Sequence, residues 1–230
     1  MKKTSNFKPA WWLKNSHLQT MYASFCGDKP ELTVHWGRFE LSDGDFLTTV
    51  SLTEGEGPII VALHGLTGNY EESRYIPRLL SMVHQNGWCG QLMHFRGCGG
   101  VHNRMERSYH LSETRDLAEY IGHLRELNPD TPIIAVGFSL GGNVLLKWMG
   151  ETGDENPLTA AVAVSVPFDV NESLRRFGKG LSRFYSKHLI SLMRKNLMDK
   201  YLDKPASFNL DKLKKADSFD EFDNAYTAPV

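Results

Sequence analysis

The chain is poor in cysteine. Cys26, Cys89 and Cys98 are the three present in 230 residues. An odd count at these spacings gives neither a disulfide framework nor a zinc-ligand pattern, so the reading is a reducing, cytoplasmic setting. Long apolar runs are missing too. No stretch approaches a membrane span, which excludes an integral membrane segment, and the Met-Lys-Lys start lacks the apolar segment of a secretory signal. There is no excess of one charge: the formal net charge is −1. That removes the electrostatic case for nucleic acid or an anionic membrane as an obligatory partner. The basic run from Lys179 to Lys200 is a local exception and reads as a solvated helix face. Repeats and low-complexity tracts are absent. What is present is 41% hydrophobic and 23% charged residues, ordinary for a globular chain with one sizeable core.

Against this plain background one stretch stands out, Thr131 to Trp148, TPIIAVGFSLGGNVLLKW. Ile133 to Val136 reads as a buried parallel strand. Leu140, Val144, Leu145 and Trp148 then recur at helical spacing. Between them lies Gly137-Phe138-Ser139-Leu140-Gly141, a G-x-S-x-G pattern. A serine on a sharp strand-to-helix turn sits in a strained backbone with its hydroxyl clear of the sheet, and glycines two residues either side avoid a collision. The helix N-terminus beneath offers free N–H groups to a developing oxyanion. Ser139 is therefore the candidate nucleophile.

The rest of the chain frames that turn. Residues 1 to 30 read as an irregular arm whose apolar residues, Phe7, Pro9, Trp11, Trp12, Leu13 and Leu18, pack over the core. A pocket wall or a lipid-touching surface is the alternative. Leu32, Val34 and Trp36 alternate on the first strand of a hairpin, Phe46 to Leu52 form the second, and Ser42-Asp43-Gly44-Asp45 supplies the turn. Glu54 to Pro58 make a second turn before the buried strand Ile59 to Leu63, which runs into His64-Gly65-Leu66-Thr67-Gly68-Asn69. A glycine-rich loop after a buried strand lets backbone N–H groups approach a ligand. In a hydrolase with this turn it gives the second oxyanion donor, Leu66 N–H, opposite Leu140 N–H. His64 precedes the serine and so does not fit the Ser, acid, His chain order of that architecture. It reads as a structural residue.

Further on, a helix is expected over 71 to 86, a strand over Trp88 to Phe95, and a helix over Ser112 to Leu127 capped by Ser112. Arg96-Gly97-Cys98-Gly99-Gly100 lacks the Gly-Lys-Ser/Thr of a nucleotide loop, and Cys98 reads as a loop thiol. Ala160 to Val166 is expected as another buried strand, Leu174 to Leu202 as one or two helices, and Phe208 to Ala216 and Phe219 to Tyr226 as two short ones. The alternation implies a mostly parallel α/β sheet with helices on both faces, entered by an antiparallel hairpin.

These pieces together resemble the α/β-hydrolase superfamily, and within it the AB hydrolase 4 family of bacterial esterases and eukaryotic abhydrolase-domain proteins. The resemblance is carried by Lys8-Pro9-Ala10-Trp11-Trp12, His17-Leu18-Gln19-Thr20, His64-Gly65-Leu66-Thr67-Gly68, Phe95-Arg96-Gly97-Cys98-Gly99-Gly100 and Gly137-Phe138-Ser139-Leu140-Gly141-Gly142-Asn143. It implies an α/β-hydrolase core over residues 1–170 and a helical cap with the truncated C-terminal part over 171–230. It also implies a carboxylic-ester hydrolase with Ser139 as nucleophile, no metal or organic cofactor, and a small-molecule ester as partner. Short-chain acyl esters or acylglycerols are the substrates implied.

Family members continue through two further strands, whose following loops carry the acid and the histidine. The sequence stops near Thr227-Ala228-Pro229, before both, so neither can be carried over and the last strands are expected to be missing. Ser139, Asp169 and His188 occur in the right order for a substitute triad. As alternatives, Asp169 is a helix cap and His188 a surface histidine. His102 and His110 are candidate pocket residues. Three functional readings stay open: an ester hydrolase, an acyltransferase on the same serine, and a catalytically incomplete binding module.

Overall fold

The computed structural model describes residues 7–26, 28–52 and 55–228. The Met-Lys-Lys start, Glu54 of the second turn and the last two residues lie outside them. In chain order the elements are α1 (Ser16–Phe25), β1 (His35–Glu40), β2 (Phe46–Leu52), β3 (Ile59–Leu63), α2 (Tyr75–Gln85), β4 (Cys89–Met93), α3 (Arg115–Leu127), β5 (Ile133–Phe138), α4 (Leu140–Thr152), β6 (Ala160–Val164), α5 (Val170–Phe177), α6 (Ser182–Lys200), α7 (Leu210–Lys215) and α8 (Phe219–Phe222), followed by a π-helical turn.

The strands form one six-stranded sheet in the order β1-β2-β4-β3-β5-β6. β1, β2 and β4 pair antiparallel, and β4, β3, β5 and β6 pair parallel. Gly44, at φ +84°, makes the hairpin turn that only a residue at ease with positive φ allows. β3 is at the centre and all five of its residues are buried. Strand alternation divides the core. Ile59, Val61 and Leu63 join Ile133 and Ala135 against Leu117 and Ile121 of α3 and Val144 and Leu145 of α4. Ala62 points the other way and joins Val50, Leu92 and the α2 residues Ile76 and Leu80. Helices thus cover both faces, as expected. The C-terminal helices build a third cluster around Leu197, Tyr201, Phe208, Leu213, Phe222 and Tyr226.

Five expectations are corrected. Residues 1 to 30 are not wholly irregular: Asn15 accepts from the N–H groups of His17 and Leu18 through Oδ1 at 2.9 and 3.4 Å and so starts α1. Most of the arm's large apolar side chains do not pack over the core, since Phe7, Trp11, Trp12 and Leu18 are exposed while Pro9 and Leu13 are half-buried. Leu32 and Val34 precede the first strand, which begins at His35. Ser112 does not cap α3, which starts after Thr114 without a side-chain cap bond. The largest departure is β6. Its apolar run reads as buried, yet it is the sheet edge, and Ala160, Val162 and Val164 face outward and are exposed. An apolar run fixes strand formation but not whether a neighbour covers the strand.

Candidate functional site

Ser139 occupies the turn between β5 and α4 with φ +51° and ψ −115°. This is a conformation an L-residue adopts only under strain. Neighbours hold it there. Its N–H donates to Val164 O at 2.8 Å, and Asn143 N–H donates to Ser139 O at 3.0 Å as the first bond of α4. The surrounding glycines are sterically required. A Cβ at Gly137 would sit 2.5 Å from Gly141 O, and one at Gly141 would sit 2.6 Å from His64 O. Removing both side chains lets α4 start directly against the end of β3.

The loop after β3 lies beside the serine, since a Cβ at Gly65 would be 3.3 Å from Ser139 Cβ. Two tyrosines fix the loop. Gly65 N–H donates to Tyr75 Oη at 3.1 Å, and Thr67 N–H donates to Tyr109 Oη at 3.0 Å. Leu66, between them, has an N–H with no acceptor among the described residues. Leu140 is the first residue of α4, so its N–H precedes the intrahelical ladder. Neither expected donor residue has an N–H bonded within the described residues. The tyrosines gave no signal in the sequence, because nothing in local spacing ties Tyr75 or Tyr109 to residues 65 to 67.

The buried histidines are structural. His64 Nε2 accepts from Phe95 N–H at 3.0 Å, which leaves Nδ1 to donate to Gly65 O at 2.6 Å. His94 Nε2 accepts from Tyr70 N–H at 3.1 Å and its Nδ1 donates to Thr48 O at 3.0 Å. Burial, then the neighbouring His94, pushes His64 down to about 3. Burial, opposed by the Thr48 carbonyl, pushes His94 down to about 4. Both rings are neutral and their lone pairs are occupied, so neither can accept a proton from Ser139. Cys98 is buried, and burial pushes its thiol up to about 12, unlike a reactive thiolate.

Ser139 itself is exposed, at the floor of a cavity of about 870 Å³. Leu66, Leu111, Leu140, Val166, Phe177 and Leu189 supply its apolar lining. His110 is the histidine lining this cavity, with Nε2 3.9 Å from the Glu113 carboxylate. Asp223 lines it as well, its pKa raised by burial against the opposing hydrogen bond from Thr227. His102 is not among the lining residues. Asp169 and His188 do not join Ser139. The Asp169 carboxylate caps α5, accepting from Glu172 N–H at 2.8 Å, and His188 is exposed on α6. Among the described residues no histidine is hydrogen-bonded to the Ser139 hydroxyl.

A buried ionic cluster braces the side of the sheet opposite β6. Arg96 is bidentate to Asp116, at 2.7 Å for each bond, and reaches Asp45 at 2.9 Å and Asp43 at 2.8 Å. Burial raises Asp45, but hydrogen bonds from Asn103 and the N–H groups of Arg104 and Phe46 outweigh it and hold the pKa below the usual range. Lys200, buried at the end of α6, donates to Asn103 Oδ1 at 2.8 Å and so ties the C-terminal helices to the same loop.

Comparison with known proteins agrees with this geometry. A family model described as alpha/beta hydrolase fold matches residues 58–219. The chain is 37% identical over 236 residues to a protein of Escherichia coli (strain K12) named "Putative esterase YheT", covering 99% of this chain and 68% of that one. It is 28% identical to "Phospholipase ABHD3" of Mus musculus, covering 98% of this chain and 57% of that one. Among solved structures, the Pyrococcus furiosus esterase Pf2001 superposes with a TM-score of 0.55 at 17% identity, over 77% of this chain and 73% of that one. The chain belongs to the α/β-hydrolase fold family, and its relatives place it among enzymes of the hydrolase class.

Proposed function

We propose that this α/β-hydrolase chain supplies the nucleophile and oxyanion half of a serine carboxylic-ester hydrolase. Ser139 Oγ attacks the acyl carbonyl. The carbonyl oxygen becomes an oxyanion held by the Leu66 and Leu140 N–H groups. Its collapse expels the alcohol, leaving an acyl-enzyme that water then hydrolyses. The proton leaving Oγ must pass to a base and from there to the departing alkoxide. Short-chain acyl esters or acylglycerols suit the apolar walls, with the helices from α5 onward acting as a cap that excludes water. The observation that carries this reading is the strained Ser139 beside two unused N–H donors, at the floor of an apolar cavity. The esterase and phospholipase names of the relatives support the chemistry in general.

One observation favours a second reading, a chain that binds ligand without turning it over. No histidine is bonded to Ser139 among the described residues, and a serine without a base is a poor nucleophile. The deciding experiment is hydrolysis of p-nitrophenyl butyrate by the folded chain beside Ser139→Ala. Turnover lost in the variant supports a serine hydrolase. Turnover equal to the variant's, from a chain shown to be folded, rejects catalysis by these residues.

A further inference from the structure

Two acid-free stretches meet on one side of the molecule. Residues 7–26 carry Lys8 and Lys14 with no Asp or Glu, and residues 173–198 carry seven Lys and Arg with no Asp or Glu. In a chain of net charge −1 this is a strong local excess. Contact between α1 and α6 joins them, His17 stacking on Tyr185 with ring centroids 6.0 Å apart. The outward face of α6 presents Arg183, Phe184, Lys187, His188 and Lys195 at helical spacing, while Ile190 and Leu197 turn inward. Large apolar groups stand among these charges, with Phe184 76% exposed and Leu181 66%, and the arm adds Trp11, 82% exposed. Arg183 and Lys187 make no ion pair among the described residues. The cavity above Ser139 opens against the same helices, which line it through Phe177, Ser182 and Leu189.

We infer that this face docks on an anionic lipid surface. Exposed aromatic and aliphatic side chains flanked by Lys and Arg fit the headgroup boundary, where rings enter the acyl region and the long basic side chains reach phosphate. A solvated helix face explains the charges but not Phe184 and Leu181 beside them, because patches of this kind mark contact surfaces. Anionic lipid is favoured over an apolar protein partner by the sign and continuity of the charge. The inference goes beyond the proposed chemistry and does not depend on turnover.

The test is co-sedimentation of the folded chain with vesicles of phosphatidylcholine alone or mixed with phosphatidylglycerol, at low and high salt. Binding is expected to the mixed vesicles and to weaken with salt. Arg183→Gln with Lys187→Gln is expected to lower partitioning by about 30-fold, from about fivefold per basic residue near the surface. Phe184→Ser is expected to lower it at both salt concentrations. Circular dichroism of each variant checks folding. The inference is overturned by no binding to mixed vesicles, by equal binding to neutral ones, or by variants that bind like the parent. It is also overturned by a dimer in sedimentation equilibrium that Phe184→Ser dissociates, which would assign the face to a second copy.

Discussion

Replacing Ser139 by glycine should make the protein more stable while removing its nucleophile. Ser139 sits at φ +51°, ψ −115°. A non-glycine residue held in so sparsely populated a region costs of order 1–3 kcal/mol. Glycine relieves that strain but loses more chain entropy on folding, about 0.4–1 kcal/mol. The difference leaves Ser139→Gly ahead of Ser139→Ala by about 1 kcal/mol. Alanine is the right reference because it keeps the Cβ and therefore the strain. The Ser139 hydroxyl makes no hydrogen bond to a described residue, so its loss alone should change little. For a chain of this size 1 kcal/mol moves Tm by roughly 2–4 °C. The assay is thermal unfolding of parent, Ser139→Ala and Ser139→Gly at one protein concentration and pH. Ala equal to parent with Gly higher by a few degrees is the expected order. Gly at or below Ala would refute strain at this turn.

Two further predictions concern buried charge. His64 and His94 are neutral in the fold, with pKa values depressed from 6.5 to about 3 and about 4. The unfolded chain takes up protons first as pH falls, so their contribution is intact above pH ~6.5 and is lost on acidification towards the folded values, at about 1.4 kcal/mol per histidine per pH unit. Urea midpoints should therefore fall from pH 7 to pH 5, and a flat profile would contradict burial of both rings. Asp116→Ala should destabilise the protein by about 3 kcal/mol or more, because it strips the bidentate partner from the buried Arg96. Chemical denaturation measures this, and a change below about 1 kcal/mol would show that Asp43 and Asp45 alone suffice for Arg96.

The turn at Ser139 was legible because its reasons are local. Gly137, Ser139 and Gly141 lie within five residues, and the apolar strand and helix periods on either side leave one arrangement open. Leu66 and Leu140 are expected as donors from what a hydrolase with this turn supplies, and their N–H groups have no acceptor among the described residues. The environment of β6 was not legible. Ala160 to Val164 has the composition of a buried strand, and only the structure shows that it is the edge strand among the described residues, with alternate side chains exposed. The anchors of the site were hidden for a related reason. Tyr109 reaches Thr67 across 42 positions and Arg96 reaches Asp45 across 51. Such pairs have no sequence period. α1 was hidden too, because its exposed apolar residues give no clean helical stripe, and the Asn15 cap shows only when the backbone is seen.

In the reading proposed for this chain, the two halves of a serine hydrolase site depend on different things. The proposed oxyanion half is backbone. It comes from the end of β3 lying against the start of α4, an approach so close that a single methyl group at Gly141 would meet His64 O at 2.6 Å. Tyr75 and Tyr109 then occupy the neighbouring N–H groups and leave Leu66 free. The general base is a side chain that must be delivered to Ser139 from elsewhere, and the nearby His64 and His94 are already committed to the backbone. The fold thus positions the proposed donors, and among the described residues it bonds no histidine to Ser139. For that reason, a folded chain that shows no turnover would argue against a base within it while leaving the nucleophile geometry intact, and the strain released in Ser139→Gly would report that geometry without any substrate at all.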